Sequence, residues 1–75
     1  MTQLEVAYRY GSVPGEATMR AINGVREVYG IRLIMFDPKA RTVRVEFDAS
    51  RFKEPEVSGL LRRAGVNLQE RLTLA

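Results

Sequence analysis

The chain has no cysteine and no histidine. The first absence excludes disulfides, thiolate metal ligands and thiol nucleophiles together. The second removes the commonest metal ligand and the commonest general base near neutral pH. No apolar run reaches the length of a membrane span. No basic segment followed by an apolar stretch opens the chain, so a signal peptide is not expected and a cytoplasmic location is. Internal repeats, linkers and low-complexity segments are missing too, which leaves one domain over residues 1–75.

What is present is an ordinary globular mixture. Apolar residues make up 45% of 75 residues, too many for a disordered chain. A domain of this size has a modest core. The net charge is +3, with acidic residues interspersed among the basic ones, which reads as a solvated surface rather than a polybasic tail.

The organising stretch runs from Gly24 to Asp48 and reads as one long β-hairpin around the turn Asp37-Pro38-Lys39-Ala40. Its outgoing arm alternates cleanly, with Val43, Val45 and Phe47 on one parity. The incoming arm does not. Val28 lies on one parity and Ile31, Leu33 and Met35 on the other, so a bulge at Gly30 is expected to restore the phase. Ile34 and Phe36 are then left over on the second face.

Before the hairpin, Leu4, Val6, Tyr8 and Tyr10 alternate with Glu5, Ala7 and Arg9 and predict a half-buried strand. A short helix is expected from Pro14 to Asn23, capped by Ser12 or Val13 with Ser12 chemically better, with Ala17, Ala21 and Ile22 on one stripe and Asn23-Gly24 as its stop. After the hairpin, Glu54-Pro55-Glu56 opens a second helix. Val57, Leu60, Leu61 and Ala64 form its apolar stripe and Gly65 closes it. Gly59 in its interior costs about 1 kcal/mol without a packing reason. A last strand runs from Val66 to Leu74, with Glu70 on its apolar parity, expected near the sheet margin or past a bulge.

The order βαββαβ predicts an α+β, ferredoxin-like sandwich. A four-stranded antiparallel sheet carries two helices on one face, the first and third strands are central, and the second and last are edges.

Gly24-Val25-x-x-Val28, Val43-x-Val45-x-Phe47-Asp48 and the spacing from Asp48 through Val57, Leu60 and Leu61 to Ala64-Gly65-Val66 resemble the heavy-metal-associated domain family. That family comprises copper chaperones and the N-terminal modules of metal pumps. Its metal-carrying members have Met-x-Cys-x-x-Cys between the first strand and first helix. Here that region reads Tyr10-Gly11-Ser12-Val13-Pro14-Gly15-Glu16, so the resemblance carries over no metal residue. Met19 and Met35 read as a partly exposed and a core residue rather than as thioether ligands.

These features predict a non-catalytic interaction or regulatory module that lacks the metal site, with no cofactor. Its expected partner is a protein or a second copy, paired through the second strand at Ile34 and Phe36. Neither metal, nucleic acid nor membrane is an expected partner. The alternatives are a metal-handling protein with an atypical weak site, a small-molecule sensor using the Gly11–Gly15 loop, or an RNA-binding domain. The RNA reading conflicts with the sheet face, because Glu5, Ala7, Arg9, Thr42, Arg44 and Glu46 offer no aromatic platform. A phosphate-handling enzyme conflicts with Pro14, which removes a backbone donor, and with the lack of a base for Ser12.

Overall fold

The structure, a computed structural model, describes residues 3–72. Its elements are β1 (Gln3–Tyr10), α1 (Glu16–Arg26), β2 (Ile31–Asp37), β3 (Thr42–Asp48), α2 (Glu54–Ala64) and β4 (Leu68–Leu72). The strands form one antiparallel sheet in the order β2-β3-β1-β4. β1 and β3 are central and β2 and β4 are edges. α1 packs on α2 and β2, and α2 packs on β4. This is the ferredoxin-like sandwich that the element order predicts.

The core lies between sheet and helices. Val6, Tyr8 and Tyr10 of β1 and Val43, Val45 and Phe47 of β3 are buried there with Ile22, Val57, Leu61 and Val66. Period-two alternation in the two central strands delivers these side chains to one face.

Three local expectations need correction. The first concerns α1, which starts at Glu16 and continues through Asn23 and Gly24 to Arg26. Gly15, not Ser12, occupies the N-cap, with no side-chain bond. Ala17 and Ala21 are exposed, while Ile22 is buried and Val25 is half-buried against the core. Burial of Val25 carries the helix past Gly24, since packing outweighs the roughly 1 kcal/mol cost of an interior glycine. The left-handed glycine sits further on. Gly30 has φ of 106°, and a Cβ there would lie 2.6 Å from the Phe52 ring.

The second correction is the phase of β2. The register against β3 shifts between Ile31 and Leu33, so the irregularity falls at Arg32 and not at Gly30. Ile31 faces Phe47, Ile34 faces Val45 and Phe36 faces Val43. The inward residues are therefore Ile31, Ile34 and Phe36. Leu33 and Met35 turn to the open face, opposite Glu46 and Arg44.

The third is β4. Its register against β1 shifts between Arg9 and Tyr10, so Leu68 pairs with Tyr10 but Glu70 pairs with Arg9. The shift moves Glu70 off the core face, where its carboxylate meets the Arg9 guanidinium at 2.8 Å. Thr73 and Leu74 lie outside the described residues.

α2 matches its sequence signals closely. The Glu56 carboxylate accepts the Lys53 backbone N–H at 3.0 Å, and Gly65 closes the helix with φ of 106°.

Candidate functional site

In the resemblance, chemistry belongs to the loop between β1 and α1. Here that loop is tied down by backbone contacts. The Gly11 N–H donates to the Asn67 carbonyl at 2.9 Å, and the Gly11 carbonyl accepts the Arg41 guanidinium at 2.9 Å. Arg41 sits at the end of the β2–β3 turn with φ of 53°. Its carbonyl also accepts the Tyr10 N–H at 2.9 Å. A left-handed non-glycine residue costs about 1–2 kcal/mol, which these two bonds to the neighbouring loop offset. The preceding turn is held by Asp37, whose carboxylate accepts the N–H groups of Lys39 and Ala40.

A Cβ at Gly11 would lie 2.7 Å from the Gln69 side-chain amide, so a larger residue there requires that flexible side chain to swing aside. Val13 is 62% exposed at the loop surface. Below the loop, the Tyr10 ring packs edge-to-face on Phe36 with centroids 5.7 Å apart. The loop's donors are thus a serine hydroxyl, a glutamate carboxylate and backbone carbonyls. These are hard oxygens and do not fit a soft metal such as Cu(I), which thiolates select. Among the described residues no group of three His, Cys, Asp or Glu side chains could hold a metal ion.

The two interaction residues expected from sequence are not where that reading needs them. Ile34 is only 3% exposed and belongs to the core cluster. Phe36 is half-buried and packs against the same cluster. The register shift at Arg32 accounts for both, because it exchanges the faces of every later residue in the strand. Met35, expected in the core, is instead 55% exposed, and Leu33 is 38% exposed. The surplus apolar pair therefore exists, but it is Leu33 and Met35. Alternation alone could not find it, since period two is blind to an inserted residue.

The rest of the open face is mostly ionic, apart from Ala7, which is buried and pairs with Leu72. Glu5 and Glu46 stand directly opposite each other, an unfavourable pair on its own. It is offset by Arg44, 2.8 Å from Glu5, and by the Gln3 amide, which donates to Glu46 at 2.8 Å. The aromatics Tyr8, Tyr10 and Phe47 point into the core instead. The edge of β2 is partly guarded, since the Arg26 guanidinium donates to the Ile34 carbonyl at 3.1 Å.

One polar contact crosses from sheet to helix. The Tyr8 hydroxyl donates to the Glu54 carboxylate at 2.6 Å. Burial first, and then this negatively charged acceptor, push the Tyr8 pKa well above the ordinary tyrosine range. The buried hydroxyl is thereby held neutral and serves as a structural tie.

A second surface feature lies on α2. Phe52, Pro55, Glu56, Gly59, Leu60 and Arg63 line an open cleft of about 360 Å³. Next to Phe52 in the chain, Arg51 holds its guanidinium 3.9 Å from the centroid of the exposed Tyr29 ring. The only sequence signal for this cleft is the glycine at position 59.

No family model matches the chain, and no curated protein sequence matches it. Solved structures do match in fold. Oxidized MerP from Ralstonia metallidurans is similar with a TM-score of 0.71 over 91% of this chain and 96% of that one, at 14% identity. The yeast copper transporter domain CCC2A, solved in solution in apo and Cu(I)-loaded states, is similar with a TM-score of 0.70. That likeness covers 95% of this chain and 97% of the other, at 17% identity. At these identities the likeness establishes the fold alone. No helix among the described residues is long and apolar enough to cross a membrane.

Proposed function

We propose that this chain is a single non-catalytic interaction module, built on a heavy-metal-associated-like fold whose metal site is gone. The observation that carries the reading is the β1–α1 loop. It stands where that family places its thiolates, offers only hard oxygens, and is bound by backbone contacts to Asn67 and Arg41. What supports interaction is the edge strand β2, with Leu33 and Met35 side by side on a mostly ionic face. An extended segment of a protein partner would add to that edge and cover both side chains. It would displace the Arg26 contact to Ile34, which partly guards the edge in the free protein. The mixed charges and buried aromatics speak against nucleic acid as the partner.

Titration with Cu(I) against a competing chelator tests the loss of the metal site. The expected outcome is no stoichiometric complex. A one-to-one complex of submicromolar affinity would overturn the reading and return the chain to metal handling.

A further inference from the structure

The α2 cleft carries an inference beyond that reading, on a different face of the molecule. Glu56, Gly59, Leu60 and Arg63 stand at i, i+3, i+4 and i+7, so they share one helix face. Within this chain Gly59 has no steric reason to be glycine. It is helical, and a Cβ built on it meets nothing within 4 Å. A glycine there weakens the helix and at the same time opens the floor of the cleft.

The face is also palindromic. The acid Glu56 and the base Arg63 lie at equal sequence distances on either side of the Gly59–Leu60 step, about 10 Å apart along the helix. A twofold axis through that step, with two α2 helices antiparallel, sets Glu56 of each copy beside Arg63 of the other. The same operation places each half-buried Leu60 over the other copy's Gly59. We infer that the cleft is a self-complementary docking site for a second copy of this chain, with α2 packed antiparallel on α2. A self-matching patch is what an isologous dimer requires. One Glu56 oxygen caps the helix through Lys53, and among the described residues the other makes no hydrogen bond.

The contact is small. An eleven-residue helix is about 16 Å long, and with Phe52 it offers well under the ~800 Å² per partner of a standard interface. The dimer is therefore weak, dependent on concentration, and loosened by salt because its charge pairs sit at the rim.

Sedimentation equilibrium tests this directly. The wild-type mass should rise from 8.5 kDa toward twice that value with concentration, and less so at high salt. Gly59→Leu fills the cleft while improving helix propensity, so it should stay folded and weaken association at least about tenfold. Arg63→Glu sets acidic side chains against each other twice and should do the same. A monomer at every concentration up to about 1 mM overturns the inference. So does a dimer that survives both changes but is lost in Leu33→Lys with Met35→Lys, because that contact would belong to β2 and to the function proposed above.

Discussion

Ile34 and Leu33 are neighbours with opposite predicted fates, and replacing each by alanine tests the phase of β2. Ile34 is 3% exposed and faces Val45, itself fully buried. Its truncation removes buried methyl groups and leaves a cavity, a loss of about 2–5 kcal/mol. Leu33 is 38% exposed beside Glu46, so its truncation forfeits partial burial with no enclosed cavity, about 1 kcal/mol or less. In a domain this small each 1 kcal/mol moves the melting temperature by roughly 4–8 °C. Ile34→Ala should therefore melt at least about 8 °C below wild type, and Leu33→Ala at most about 8 °C below it. Thermal unfolding followed by far-ultraviolet circular dichroism measures both. For the same reason the pair Ile34→Lys and Phe36→Lys should unfold the protein rather than give a soluble monomer. If Leu33→Ala is the more damaging change, the shift at Arg32 does not exist, and the uninterrupted alternation of the sequence describes the strand.

Gly24→Ala should raise stability by up to about 1 kcal/mol, because Gly24 is helical with open space where a Cβ would stand; a lower denaturation midpoint would restore it as the helix stop. Tyr8→Phe should cost about 1–3 kcal/mol at neutral pH, the worth of a bond to a charged acceptor. Its raised pKa also makes the native state hold a proton that the unfolded chain releases near pH 10, so wild-type stability falls as pH rises beyond that value. Tyr8→Phe should flatten this alkaline decline, and melting curves from pH 8 to 11 with equal slopes for both proteins would refute it.

The number, kind and order of the elements were legible in the residues alone. Alternation identified the buried face of β3 fully and that of β1 at Val6, Tyr8 and Tyr10, though Leu4 is exposed and Ala7 is buried; the i, i+3, i+4, i+7 stripe with Gly65 identified α2. Composition also settled what the β1–α1 loop cannot offer, since it removes thiolate and imidazole. The phase of β2 and β4, by contrast, came from tertiary pairing. One inserted residue at Arg32 and another near Gln69 exchange the faces of every later residue in each strand, and the pairing strand, not the local sequence, settles where an insertion falls. That is why the exposed apolar pair is Leu33 and Met35, not Ile34 and Phe36, and why Glu70 meets Arg9. The end of α1 was set in the same way. Gly24 signals a stop to its neighbours, but burial of Val25 against the core continues the helix, and the left-handed turn waits until Gly30, where the Phe52 ring leaves no room for a side chain.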